Sequence, residues 1–179
     1  MAEAFINQVN RAVGIVTSSS NASIGVGLTW MSGISTAHVA INDLVDNANF
    51  IAGTKVTLVG VSSVQLDRAS TNTVAATASN VSFLGPTTSY TSASETKSIL
   101  IGGTFANNTA NSVNLTVTVY DNSTTTESQL AAKIPVPTGS SFVISDAGKT
   151  VLEGDDEVRV YCDVENAIDV NLSILKGVS

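Results

Sequence analysis

The feature that most constrains this chain is a recurring alternation of apolar and polar residues with a period of two. Val113, Leu115, Val117 and Val119 alternate with Asn114, Thr116, Thr118 and Tyr120 without a break. Val158, Val160 and Cys162 alternate with Arg159, Tyr161 and Asp163, and Val170, Leu172 and Ile174 share one face of the segment 169–176. Successive side chains of an extended chain point to opposite sides, so each stretch reads as a half-buried strand. Turn chemistry separates them: Ala106-Asn-Asn-Thr-Ala-Asn111, Asp121-Asn-Ser-Thr-Thr-Thr126 and Ala147-Gly148. Further strands are expected at 99–105, 128–134, 140–145 and 150–152. Pro135 and Pro137 end the second of these or confine it to a sheet edge.

The first half carries the same signal more weakly. Ile24, Val26, Leu28 and Trp30 alternate with small or polar residues, as do 54–59, and Val64 shares a face with Leu66. Val81-Ser-Phe-Leu84 is a further strand, broken by Gly85-Pro86. The segment 2–16 reads as a short helix or an arm that becomes a strand. Thr17-Ser-Ser-Ser-Asn-Ala-Ser23 and 69–80 read as loops by composition, and Asp46-Asn-Ala-Asn49 as a turn. Many short strands at spacings of roughly 8–12 residues indicate a sandwich or a barrel. No 10–15-residue helical pattern joins two strands, so a βαβ fold is not supported. The expectation is an all-β chain of two small domains. Residues 1–85 would form an N-terminal arm plus a small β-barrel-like module. Residues 86–96, rich in Ser and Thr, would be a linker. Residues 97–179 would form an antiparallel, jelly-roll-like β-sandwich.

Composition removes several function classes. One cysteine, Cys162, forms no internal disulfide, and with one histidine, His38, it makes no zinc site of the usual ligand type. Eight Lys or Arg against fifteen Asp or Glu give a net charge of -7, a poor match to nucleic acid, whose affinity comes mainly from cations on phosphates. No apolar run approaches the roughly 20 residues that span a bilayer. The N-terminus lacks a basic start followed by an apolar stretch, so no secretory signal is expected.

Candidate chemistry is thin. His38 has Ser35 and Asp43 near it in sequence but no Gly-x-Ser-x-Gly elbow, and reads as a surface or interface residue. Cys162 shares a face with Val158 and Val160 and reads as a core thiol. Glu153-Gly-Asp-Asp-Glu157 is the densest acidic cluster, but adjacent acids on an extended chain point to opposite sides, so a turn is expected rather than a calcium loop. With only Trp30 and three Tyr to stack a sugar, a paired-carboxylate glycosidase is not supported. No phosphate-binding loop is present. No catalytic, cofactor or metal residues are therefore expected.

Charged residues make up 13% of the chain, against roughly 25% in an ordinary globular protein. Uncharged Thr, Ser and Asn faces lose less on being covered than charged ones do. Exposed strand edges of small β domains also invite covering. A homo-oligomeric structural role follows. The interface candidates are Phe5, Ile6 and Val9 on the arm, with Trp30 and Tyr120.

The segments Gly33-Ile-Ser, Asp43-Leu-Val-Asp46, Phe50-Ile-Ala-Gly-Thr-Lys-Val-Thr-Leu-Val-Gly60 and Val64-Gln-Leu-Asp67 resemble a small β module of tailed-phage virion proteins, with Asn42 where a Gly is frequent. The second half is similar to β domains in virion proteins of marine T4-like tailed phages. That likeness is carried by Leu115-Thr-Val-Thr-Val-Tyr-Asp121, Ile134-Pro-Val-Pro-Thr-Gly-Ser140 and Lys149-Thr-Val-Leu-Glu-Gly-Asp-Asp-Glu-Val-Arg-Val160. The resemblance implies a virion structural protein, assembled in the host cytoplasm, whose partners are other virion proteins, with neither nucleic acid nor membrane. It brings no catalytic residues and does not choose between head, neck and tail. The alternative expectation is a host-surface carbohydrate-binding or adhesion module with its site in the loops 121–126 and 71–80.

Overall fold

The computed structural model describes residues 3–145 and 149–178; the expected turn at Ala147-Gly148 lies outside them. The described chain is all-β. Its fifteen strands are β1 (Ala4–Asn10), β2 (Ile15–Ile24), β3 (Trp30–Ser32), β4 (Leu44–Asp46), β5 (Val56–Val59), β6 (Ser63–Leu66), β7 (Ala76–Leu84), β8 (Thr87–Thr91), β9 (Lys97–Asn107), β10 (Val113–Asp121), β11 (Thr126–Val136), β12 (Ser141–Ile144), β13 (Thr150–Leu152), β14 (Glu157–Cys162) and β15 (Ile168–Val178).

The chain divides into two compact units. The larger contains the N-terminal residues up to Val13, Pro86–Cys162 and the chain from Asn166 onward. It holds two sheets, ordered β1-β15-β9-β12, with β13 also on β9, and β11-β10-β14-β8. Every strand pair in them is antiparallel. Apart from the β10–β11 hairpin, the strands pair with ones distant in sequence, and consecutive strands mostly alternate between sheets. This is the jelly-roll order, in which first and last strands lie side by side. The period-two residues fill the core: Leu115, Val117, Val158, Val160, Cys162, Val170, Leu172 and Ile174 are all buried, with Phe105 beside them. Cys162 is thus the core thiol that its period indicates.

The smaller unit, Gly14–Gly85 with Asp163–Glu165, is inserted in the chain between the first two jelly-roll strands. Its single sheet runs β4-β7-β2-β3-β6-β5 around Ile24, Met31, Val45, Val56, Val64 and Phe83. The two edges of this sheet meet. Val45 N donates to Thr54 O and Val56 N to Asp43 O, both at 2.9 Å, and Leu44 bridges Lys55. One isolated bridge is less than a ladder, so the sheet curls toward a barrel without closing as one. Glu165 belongs here because its N–H donates to Asp46 Oδ2 at 2.9 Å and its carboxylate accepts from the Ser82 hydroxyl.

Four expectations change. The arm is not separate from the second half: residues 4–10 pair with 170–176 over seven consecutive positions. Residues 86–96 are not a plain linker, because Thr87–Thr91 is an edge strand on β14. The Ser/Thr run 17–23 and residues 76–80 are strand, since neighbours on the ladder supply hydrogen bonds that composition does not foretell. Val26 and Leu28 lie in the β2–β3 turn and are exposed; Gly27, at φ 65°, reverses the chain there.

Asp43 carries a prediction. Only 5% of the residue is exposed, and Oδ2 accepts from Ala40 N at 2.7 Å. Gly85 packs against it so closely that an added Cβ would stand 2.4 Å from Oδ1. Burial raises the Asp43 pKa above its ordinary 3.8, although the Ala40 hydrogen bond opposes the rise. The folded state then holds this proton at pH values where the unfolded chain has released it. The charged carboxylate therefore costs stability above its folded pKa, and that cost disappears as pH falls toward 3.8. Asp43→Asn, which keeps an acceptor for Ala40 N, is expected to stabilise the inserted unit at pH 7. The gain should shrink toward zero near pH 4, read as unfolding midpoints in urea at the two pH values. A gain that is constant with pH would refute the burial argument.

Candidate interaction surface

The interface candidates separate. Phe5 and Val9 point outward from β1 and are 77% and 62% exposed, while Ile6 lies on the opposite, half-buried side. The register places Phe5 beside Leu175, Leu175 beside Ile99, and Ile99 beside Val151. This row of apolar side chains crosses the outer face of four strands. A second row runs Val9, Asn171, Thr104, Val143. The positions on β1 between them, and their partners on β15, bear no charge. Charge appears at the two ends of the face as pairs: Arg11 with Asp169 at 3.9 Å, and Lys97 with Glu153 at 2.8 Å. An uncharged centre that mixes exposed apolar side chains with Asn, Ser and Thr, bounded by paired charges, has the charge distribution of a protein interface.

Trp30 stands apart, on β3 of the inserted unit. It pairs with Gln65, which in turn neighbours Leu58, and both Trp30 and Leu58 are exposed. Tyr120 is engaged. Arg159 sits 3.8 Å from the centre of its ring, and Arg159 Nε donates to Glu157 Oε2 at 2.7 Å. Glu157 also accepts from the Thr88 hydroxyl at 2.6 Å. Burial pushes the Glu157 carboxyl up, but the Thr88 hydrogen bond and the hydrogen bond and charge of Arg159 outweigh it and hold the pKa below 4.5. A guanidinium stacked on the ring and tied by a carboxylate leaves Tyr120 a supporting residue rather than a free anchor.

The acidic cluster 153–157 is a turn. Glu153 binds Lys97, Glu157 binds Arg159, and Asp156 points inward to accept backbone N–H groups. Among the described residues no group of three or more His, Cys, Asp or Glu is placed to hold a metal ion. In the loop after β10, Asp121 Oδ1 accepts from the Ser123 hydroxyl at 2.7 Å and from the N–H groups of Ser123 and Thr124. These bonds, the Ser123 hydroxyl first, lower its pKa. Its acceptor is spent on its own turn. His38 is exposed in a turn at φ 65°.

Sequence reading missed the groove between the edge strands β1 and β8. Gln8, Asn10 and Thr88–Thr91 line a space of about 320 Å³, and Asn10 Oδ1 and Ser89 Oγ are buried without a hydrogen-bond partner. Nothing in residues 8–10 or 88–91 alone could have shown it, because the groove exists only once strands some 80 positions apart become neighbours. No family model, curated protein or solved structure matches this chain.

Proposed function

We propose that this protein is a structural subunit of a tailed-phage virion, a repeated accessory component that decorates or connects capsid, neck or tail parts. It works by protein–protein contact, without chemistry. The observation that carries the reading is the outer face of the β1-β15-β9 sheet, uncharged between its two ends, with Phe5 and Val9 exposed on a chain of net charge -7. An acidic chain repels its like over most of its surface, and a neutral apolar face is where assembly costs least desolvation. The jelly-roll order adds support, since that architecture recurs in viral capsid domains, although a fold alone does not fix a role. Sizing of the protein at high concentration should give an assembly, and mass spectrometry of purified particles should find the chain in stoichiometric amount. A clean monomer absent from particles refutes the reading.

One observation favours the second reading, host-glycan binding. The groove between β1 and β8 is polar and uncharged, lined by Gln8, Asn10 and Thr88–Thr91, side chains of the kind that hydrogen-bond sugar hydroxyls. The loop 121–126 supports it less, since Asp121 is already bonded. A glycan array decides between them: specific glycan binding lost in Ser89→Ala supports the second reading, and a blank array removes it.

A further inference from the structure

We infer that β1 is a self-pairing edge, through which a second copy of this chain docks antiparallel about a two-fold axis at Asn7. The inference rests on the assembling-subunit reading and names the partner and the register.

A strand at a sheet edge leaves every second residue's backbone N–H and C=O unpaired along its free side, and proteins guard such edges with charge, proline, bulges or shortness. The other edges of the larger unit are guarded. β11 carries Glu127, Lys133 and Pro135 and has two register shifts against β10. β8 is five residues long and follows Pro86. β12 and β13 have four and three residues. In the inserted unit the edge strands β4 and β5 are joined by the Leu44–Lys55 bridge. β1 has none of these devices. Ala4-Phe-Ile-Asn-Gln-Val-Asn10 contains no charge and no proline, runs seven residues in unbroken register, and pairs with β15 alone.

Its sequence is complementary to itself. With Asn7 facing Asn7 of the other copy, Phe5 stands opposite Val9 on the outer face, and Ile6 opposite Gln8 on the inner. Each exposed apolar side chain then covers another, twice by symmetry, as an isologous contact requires. Each copy carries -7, but β1 itself carries no charge, so two facing β1 strands bring no like charges into contact.

Two substitutions at exposed positions test this on the full chain. Val9→Lys sets a cation beside Phe5 of the other copy, twice by symmetry. It should raise the dimer dissociation constant by about 100-fold in sedimentation equilibrium, with the thermal midpoint unchanged at dilutions where both proteins are monomeric. Asn7→Cys should give a disulfide-linked dimer on mild oxidation, because facing Cα atoms of antiparallel strands lie about 4.5–5.5 Å apart, within disulfide reach. Gln8→Cys, displaced from the axis, should not. An assembly that survives Val9→Lys and fails to cross-link through Asn7→Cys overturns the β1 pairing while leaving an assembling subunit. A wild-type monomer overturns both. A β1-linked dimer that never enters particles overturns only the virion role.

Discussion

Asp156→Ala is expected to destabilise the jelly-roll unit by about 3–4 kcal/mol, and to lower its thermal midpoint by roughly 12–32 °C at a typical 4–8 °C per kcal/mol for a domain of this size. The residue is 4% exposed. Oδ1 accepts from Asn122 N at 3.0 Å, and Oδ2 from Glu153 N at 2.9 Å. One carboxylate thereby ties the loop after β10 to the turn before β14, two segments over 30 positions apart. Its own backbone continues the link: Ser92 N donates to Asp156 O at 2.9 Å. Hydrogen bonds to a charged group contribute about 1.5–3 kcal/mol each, and a buried N–H left without a partner adds its desolvation cost. Asp156→Asn separates the two effects. The amide keeps one acceptor but turns a donor toward the other N–H, so it should lose about 2 kcal/mol. Urea unfolding of both variants gives the numbers; a loss below about 1 kcal/mol for Asp156→Ala would show that the two N–H groups find water instead.

Asn107→Asp, nearly isosteric, should cost about 3 kcal/mol at pH 7 because it reverses two hydrogen bonds without changing shape. Asn107 Nδ2 donates to Asn111 O at 2.7 Å and to Val136 O at 2.9 Å, while Oδ1 accepts from Thr109 N at 2.9 Å and from the Thr109 hydroxyl at 2.7 Å. All the amide's main groups are used, and the residue is 4% exposed. A carboxylate keeps the Thr109 side but presents an anion to two carbonyl oxygens in a poorly solvated place. Burial and that repulsion would raise the new carboxyl's folded pKa above its unfolded value. The deficit should therefore shrink as pH falls through the folded pKa, when the acid becomes protonated and can donate to one carbonyl. A deficit that does not diminish between pH 7 and pH 4 would count against this account. Both variants act on turns far from Phe5, Val9 and Asn7, so assembly through β1 should persist wherever the protein remains folded.

Residue order alone was enough for the period-two strands of the larger unit, though not for β1 and β8. β10, β14 and β15 follow their alternation, and the turns at 106–111 and 121–126 fall where Asn, Asp, Ser and Thr cluster. Asn107 and Asp121 explain why: their side chains bond the backbone two residues on, which a chain can do with no distant partner. Cys162 was legible for the same local reason, being in phase with Val158 and Val160. The acidic cluster was legible as a turn, but the inward aim of Asp156 was not, since it depends on Asn122 being brought to it.

Pairing across distance belonged to the tertiary structure. Period two shows that a segment has an inner and an outer face; it does not say which strand lies beside it. So the chain's beginning became an edge strand on its end, a Ser/Thr-rich stretch at 87–91 became a strand on β14, and the Ser run of β2 was held by β3 and β7. Val26 and Leu28 show the converse, an apolar alternation that continues into the β2–β3 turn at Gly27, where the side chains stay exposed. Local order fixes what a residue does with its near neighbours. Only the closed sheets decide which neutral edge is left open, because the hydrogen-bond partners that would cover it come from the far end of the chain or from another molecule.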